Sequence, residues 1–342
     1  CKTKYCAKVK RMRRHKRILM NCVSRQSSIT ENSNTTSINE KAMTDPYSSP
    51  ETPAPRPDSF WQSELNESQW SAVRECERPL LVIAGAGSGK TRVLTYKIAY
   101  LLERGYAPWE VLALTFTNKA AKEMNERISN IVGPGRARGL WSGTFHSIFA
   151  RILRAESQSI GFDSNFTIYD SADSRSLLKS IIKELKLDDK TYKPSKVQGR
   201  ISDAKNRLML PQEYAADPHF TSRDARDNMP DLHRVYTEYF RRCRTARAMD
   251  FDDLLLRTNE LLNVFPEVLA KYQNRFQYIL VDEYQDTNHS QYLIVKALAD
   301  RFHNICVVGD DAQSIYAFRG ANINNILNFK SDYPEAKEYK LE

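Results

Sequence analysis

The stretch Leu80-Leu81-Val82-Ile83-Ala84-Gly85-Ala86-Gly87-Ser88-Gly89-Lys90-Thr91 decides the fold of this chain. Its first five residues form an unbroken apolar run, which is typical of a strand buried on both faces of a parallel sheet. Glycines then let backbone N–H groups approach phosphate oxygens, and the helical pattern after Thr91 places a helix N-terminus at the same point. Strand, glycine-rich loop, Lys-Thr and helix together predict the phosphate-binding loop of a nucleotide hydrolase.

Individual residues of this loop have predicted roles. Lys90 would reach the outer phosphates, and the Thr91 hydroxyl would hold Mg²⁺. Ala84 stands where the motif usually has its first glycine. The residues predicted to cradle the phosphates are Ala84, Gly85, Ala86, Gly87, Ser88, Gly89, Lys90 and Thr91.

Charge and composition exclude several classes of protein. The net charge of +9 comes from residues 1–25, which hold ten Lys and Arg and no acid, so the rest carries −1. The folded part is therefore not a generally basic nucleic-acid binder, and any nucleic-acid contact there must be a local track. No run approaches the roughly 18 apolar residues that span a bilayer, which argues against a membrane role. Six scattered cysteines favour a reducing compartment and no structural metal.

Residues 1–59 are expected to be a disordered tail, basic at first and then rich in Ser, Thr, Asn and Pro. The basic head has the composition of an organellar transit segment, for plastid or mitochondrion. Two alternatives stay open, a DNA-binding tail or sequence upstream of a start at Met43. The chain opens with Cys1, so we expect its beginning to be missing.

Three further segments follow from the pattern of strands, glycines and helices. Residues 60–154 and 250–342 read as two parts of one α/β lobe with a parallel sheet, and residues 155–249 read as an all-helical insertion. The insertion carries basic residues that either contact a DNA backbone or simply form solvated helix faces. They are Lys193, Lys196, Arg200, Lys205, Arg207, Arg241, Arg242, Arg244 and Arg247.

The phosphate loop lacks a metal-binding carboxylate, a proton acceptor and a γ-phosphate sensor. Residues for these roles are predicted at the ends of two later strands. Tyr278–Val281 is an apolar run that ends in Asp282 and Glu283. Asp282 is expected to hold Mg²⁺, and Glu283 to orient and deprotonate the attacking water. Gln313 follows the next strand, where its amide could sense the γ-phosphate.

Aromatic and polar residues at the same sheet edge predict a nucleic-acid surface. Tyr316, Phe318 and Arg319 lie beyond Gln313, and Phe116 is the last residue of the predicted strand Val111–Phe116. Aromatic rings beside a positive charge suit base stacking on a single strand. Thr117 and Asn118 share this carboxyl-terminal edge, where parallel sheets bind ligands.

Together these motifs resemble the superfamily-one DNA helicases of the UvrD/Rep/PcrA type over about residues 62–342. The resemblance rests on ordered blocks: Leu65–Gln69, Ala84–Thr91, Leu112–Met124, Thr144–Ser147, Asp250–Leu255 with Val281–Asp286, and Val308–Ala321. It implies a RecA-like lobe with the family's helical subdomain, using ATP and Mg²⁺. It further implies 3′→5′ movement on single-stranded DNA, and unwinding at single-strand/duplex junctions in repair or replication restart.

The resemblance also implies roles for particular residues. Gln69 becomes an adenine contact, although a plain surface helix would also account for it. Around the nucleotide the family implies Lys90, Thr91, Arg92, Asp282, Glu283 and Gln313. On DNA-facing or coupling positions it implies Phe116, Thr144, His146, Tyr316 and Phe318. A core histidine remains the alternative for His146, and localisation is expected to be intracellular and DNA-associated.

Two departures from the family pattern bear on function. Phe318 stands where PcrA-type proteins commonly have tryptophan, and the chain stops at Glu342, before a second RecA-like lobe. Without that lobe's arginine we expect weak ATP binding, poor hydrolysis and no unwinding. A related motor with a C-terminal nuclease and a non-catalytic DNA- or partner-binding remnant stay open. A small kinase is disfavoured because Glu283 has no place in its scheme.

Overall fold

The computed structural model describes residues 55–85, 87–310 and 329–341, which fall into two units. The first unit, residues 1–64, contributes helix α1 (Asp58–Glu64). The second unit, residues 65–342, contains all the other elements. Several predictions lie outside the described residues: those for the tail up to residue 54, and those for Ala86, Gln313, Tyr316, Phe318 and Arg319.

The described part of the second unit alternates strands and helices. Its strands are β1 (Leu80–Ala84), β2 (Val111–Thr115), β3 (Trp141–Thr144), β4 (Thr167–Tyr169), β5 (Ala248–Asp250), β6 (Tyr278–Val281), β7 (Ile305–Gly309) and β8 (Lys337–Leu341). Its helices are α2 (Glu67–Arg74), α3 (Lys90–Glu103), α4 (Asn118–Val132), α5 (Pro134–Ala137), α6 (Phe145–Ala155), α7 (Ser171–Glu184), α8 (Pro194–Asn206), α9 (Pro211–Ala216), α10 (Pro218–Arg226), α11 (Leu232–Thr245), α12 (Phe251–Val264), α13 (Pro266–Arg275), α14 (His289–Ala299) and α15 (Phe329–Asp332). None of these helices is long and apolar enough to cross a bilayer.

Six of these strands form one parallel sheet in the order β3-β2-β6-β7-β1-β8. Strands β2, β6 and β7 are buried at every residue, which explains their continuous apolar sequences. Burying each Val, Leu or Ile contributes about 1.5–3 kcal/mol relative to an exposed side chain. The predicted α/β class with a parallel sheet is confirmed, and all six carboxyl ends meet at one edge.

The helical segment between β3 and β6 has a hydrophobic core of its own. Leu178, Ile181, Tyr236 and Tyr239 belong to this core, which is distinct from the cluster around the sheet. The prediction that residues 155–249 contain only helices is wrong, because β4 and β5 pair in parallel. Each has three residues, too few to show an alternating pattern in the sequence. The division at residues 154 and 249 stays a prediction.

Candidate functional site

The loop after β1 needs glycine at two positions. Gly87 and Gly89 have φ angles of +82° and +90°, which L side chains rarely adopt. A Cβ at Gly89 would lie only 2.6 Å from Nε2 of Gln69. The Ser88 hydroxyl and backbone N–H both donate to the Gly85 carbonyl, at 2.8 and 3.3 Å, and so tighten the turn.

Helix α3 starts at Lys90 in a way that suits an anion. Its N-cap is Gly89, and no side chain caps the helix N-terminus by a hydrogen bond. Most helices in the α/β lobe have such a cap, as Thr117 provides for α4. An uncapped N-terminus directs backbone N–H groups and a partial positive charge at the loop. The loop therefore fits the phosphates predicted for it.

Lys90 connects three elements at the sheet edge. Its Nζ lies 3.4 Å from Oε2 of Glu283, after β6, and 3.6 Å from Oδ2 of Asp310, after β7. The predicted proximity of Lys90 and Glu283 is confirmed. Asp310 was not predicted to face Lys90, although its position at the end of a buried strand was visible in the sequence.

Asp282 is a buried carboxyl group with an altered acidity. Its backbone N–H donates to the Leu114 carbonyl at 2.9 Å, and its Oδ1 accepts from the Glu283 N–H at 3.1 Å. Burial and then the Glu283 charge raise the pKa of Asp282 to about 7, while Lys90 opposes the rise. Burial and Glu283 likewise raise the pKa of Asp286 to about 6. Crowded carboxylates with one lysine among them favour an added cation.

The donors at this edge fit Mg²⁺ shared with a nucleotide. In the described ranges, no three His, Cys, Asp or Glu side chains converge as a complete metal site. Mg²⁺ commonly takes only one or two carboxylates from the protein and its other ligands from phosphates and water. Asp282, with Thr91 in the first turn of α3, matches that pattern.

Gln69 lies against the phosphate loop, as its predicted role requires. Its Oε1 accepts from the Asn66 N–H and its Nε2 donates to the Ser88 carbonyl, both at 3.2 Å. Asn66 caps the N-terminus of α2 and forms a full capping box with Gln69. The adenine contact itself stays a prediction. Arg92 stacks its guanidinium on the Tyr96 ring, 4.9 Å from the centroid, and is exposed.

Buried Lys97, in α3, forms hydrogen bonds with the C-terminal end of α2. Its ammonium group is fully buried and donates to the carbonyls of Ala72, Val73 and Glu75. These carbonyls end α2 and have no partner inside the helix. Together with the Gln69 contact, Lys97 fixes α2 beside the phosphate loop.

A cavity of about 860 Å³ opens beside the carboxyl ends of the strands. Phe116, Thr117 and His146, predicted to face DNA, line it together with Phe251 and Asp286. Phe251 is 46% exposed and meets His146 edge-on, with ring centroids 5.5 Å apart. Phe251 was not predicted as a site residue, although it lies in the block Asp250–Leu255 on which the resemblance rests.

Two other predicted DNA contacts do not line the cavity. Thr144 is buried and caps α6 by accepting from the Ser147 N–H at 3.2 Å. Asn118 begins α4 and is exposed. Of the predicted DNA-facing residues that the structure describes, the cavity therefore brings together Phe116, Thr117 and His146 but not Thr144 or Asn118.

Most of the basic residues in the helical segment pair with acids of the same segment or its borders. Arg207 pairs with Asp203 at 2.8 Å, and Arg242 pairs with Glu238 at 2.7 Å. Lys205 is fully buried, 2.7 Å from Asp250. This pairing reduces the net positive field and weakens the interpretation of these residues as a DNA track.

Comparison with known proteins identifies the family. Residues 65–334 match the model of the UvrD/REP helicase N-terminal domain. The chain is 51% identical over 283 residues to "ATP-dependent DNA helicase PcrA" of Bacillus subtilis, covering 82% of this chain and 37% of that protein. The PcrA proteins of Staphylococcus epidermidis and Staphylococcus aureus are each 50% identical, over 81% and 82% of this chain and 37% and 38% of their own lengths. The chain thus spans well under half the length of these relatives, and it belongs to the UvrD/REP helicase N-terminal domain family.

Proposed function

We propose that this chain is the ATP-binding and single-stranded-DNA-binding part of a DNA helicase. One observation carries the proposal: Lys90 lies 3.4 Å from Glu283 at an edge that also borders the cavity. Asp286 belongs to both regions, since it lines the cavity and its pKa responds to Glu283 and Lys90. A nucleotide and a DNA strand bound here would therefore be close enough to affect each other.

Four residues have proposed roles in ATP hydrolysis. Thr91 and Asp282 would hold Mg²⁺, which when bound would supply positive charge to the phosphates. Lys90 neutralises charge on the outer phosphates. Glu283 orients the attacking water and accepts its proton on a carboxylate oxygen. A glutamate in that position favours transfer to water over transfer to a substrate hydroxyl.

The cavity is the proposed path of the DNA. Phe116 and Phe251 would stack with bases, at roughly 1–3 kcal/mol per stacked base, and His146 packs edge-on against Phe251. The PcrA relatives are named as DNA helicases, which supports DNA as the polymer. We extend the proposal to 3′→5′ movement, to single-strand/duplex junctions and to repair or replication, with residues 155–249 as the helical subdomain over a RecA-like lobe.

Two measurements on the full chain test this function. Fluorescent ATP with Mg²⁺ should bind wild-type protein and bind Lys90→Met at least about tenfold more weakly. ATP hydrolysis, followed with and without oligo-dT, should be lost in Glu283→Gln while nucleotide binding remains. Equal hydrolysis by wild type and Glu283→Gln contradicts the catalytic assignment.

The DNA assignment has a separate test. Oligo-dT anisotropy should show weaker binding for Phe251→Ala than for Trp109→Ala, which removes another exposed aromatic ring outside the cavity. Equal loss in both variants contradicts the cavity as the DNA path. DNA binding without any ATP hydrolysis would favour the non-catalytic alternative.

A further inference from the structure

Gln285 occupies a position between two groups of the candidate site. It lies in the short 3₁₀ turn Tyr284–Asp286 and is only 2% exposed. Its side-chain Nε2 donates to Oε2 of Glu283 at 2.7 Å. Its Oε1 accepts from the backbone N–H of Asp310 at 3.1 Å. One amide group therefore joins the carboxylate after β6 to the backbone after β7.

The two hydrogen bonds require an amide side chain, because one needs a donor and the other needs an acceptor. A carboxylate such as Glu283 only accepts, and a backbone N–H such as that of Asp310 only donates. Glutamate at position 285 could still accept from Asp310 but could not donate to Glu283. Methionine would fill a similar volume and make neither hydrogen bond.

Glu283 needs such support because its backbone is strained. Its φ and ψ are +47° and +48°, in the left-handed region that non-glycine residues seldom occupy. Such a conformation persists only when the surrounding contacts maintain it. Oε2 of Glu283 accepts the hydrogen bond from Nε2 of Gln285 and also lies 3.4 Å from Nζ of Lys90.

We infer that Gln285 is a positioning residue that holds the Glu283 carboxylate in its orientation toward the attacking water. The inference deepens the proposed ATP hydrolysis and rests on it. Because the other end of the amide is bound to Asp310, displacement of the chain at the end of β7 would also displace Glu283. Gln285 thus links the geometry of the proton acceptor to the strand end beside it.

The kinetics of ATP hydrolysis distinguish a positioning role of Gln285 from a general role in packing. Gln285→Met and Gln285→Glu should each lower kcat for ATP by about 10- to 100-fold, the effect of a misplaced catalytic group. KM for ATP should stay within about threefold, because both hydrogen bonds of the Gln285 amide go to other residues of the protein. The matched control is Gln273→Met, which removes a partly buried hydrogen bond from Nε2 to the Ala297 carbonyl, between α13 and α14, and should leave both constants unchanged.

A kcat within threefold of wild type in Gln285→Met, or a change confined to KM, would overturn the inference. So would an equal loss of kcat in Gln273→Met. A wild-type chain that hydrolyses ATP too poorly to measure is a different result, since it concerns the proposed hydrolysis and not the position of Gln285. A second measurement that requires no activity then decides the role of Gln285.

Amide hydrogen exchange followed by NMR provides that measurement. The Asp310 N–H should exchange slowly in wild type and Gln285→Glu, and at least about tenfold faster in Gln285→Met. The side-chain NH₂ of Gln285 should exchange faster in Glu283→Leu than in wild type. Unchanged exchange of Asp310 in Gln285→Met, or of the Gln285 NH₂ in Glu283→Leu, refutes the link even if the chain hydrolyses ATP.

Discussion

Replacing Asp282 with asparagine should stabilise the folded chain at pH 8, although it removes the proposed Mg²⁺ ligand. The carboxyl group is 7% exposed, and burial raises its pKa from 3.8 to about 7. At about 1.4 kcal/mol for each pKa unit, keeping Asp282 ionised costs the folded state about 4 kcal/mol. Asparagine carries no charge, and its Oδ1 can still accept from the Glu283 N–H. The expected gain is therefore about 2–4 kcal/mol.

The sign of the pH dependence follows from the direction of the shift. The folded state holds the Asp282 proton more tightly than the unfolded state, so wild-type stability falls as pH rises from about 4 through 7. At pH 5 the folded carboxyl group is mostly protonated, and the gain from asparagine should shrink to below about 2 kcal/mol. In a unit of this size, 4 kcal/mol corresponds to a Tm increase of about 8 °C.

Urea denaturation and thermal melts at pH 5 and pH 8 measure this effect. Glu184→Gln is the control with the opposite sign, because hydrogen bonds from Arg242 lower the pKa of exposed Glu184 to about 2. That control should give no gain at pH 8. A variant Asp282→Asn that is no more stable at pH 8, or gains equally at both pH values, would refute the reasoning. The same variant should lose Mg²⁺-dependent nucleotide binding.

Three further substitutions test the supports of the site. Gly89→Ala should weaken binding of fluorescent ATP by at least about tenfold, because its Cβ would lie 2.6 Å from Gln69 Nε2 at a positive φ; unchanged binding contradicts this geometry. Lys97→Met should lower the free energy of unfolding by about 3 kcal/mol in urea titrations, since the carbonyls of Ala72, Val73 and Glu75 at the C-terminal end of α2 lose this donor; a loss below about 1 kcal/mol would show that water replaces it. Lys205→Met should cost about 3–5 kcal/mol at pH 8, because Asp253, 2.9 Å away, is left buried and unpaired. Adding Asp253→Asn should recover part of that loss, and no recovery would contradict the pairing.

The sequence predicted the sheet and the proximity of Lys90 to Glu283 because the signals for both are local. β1 and β6 have the predicted bounds, and β2 ends one residue earlier than predicted. Short apolar runs flanked by glycine or acidic residues specify buried parallel strands without further information. Since parallel strands share one carboxyl edge, the meeting of Lys90 and Glu283 followed from the pattern alone.

Other features depend on contacts between residues distant in sequence, and only the tertiary structure decided them. Strand β7 lies between β1 and β6, and this order places Asp310 beside Lys90 and within reach of Gln285. Burial, which no local pattern measures, raises the pKa of Asp282. Phe251 becomes a cavity wall because β5 pairs with β4 and directs the chain into α12 beside His146. Hydrophobic pattern determines which residues enter a sheet, whereas the neighbours of a buried polar group depend on how the whole chain packs.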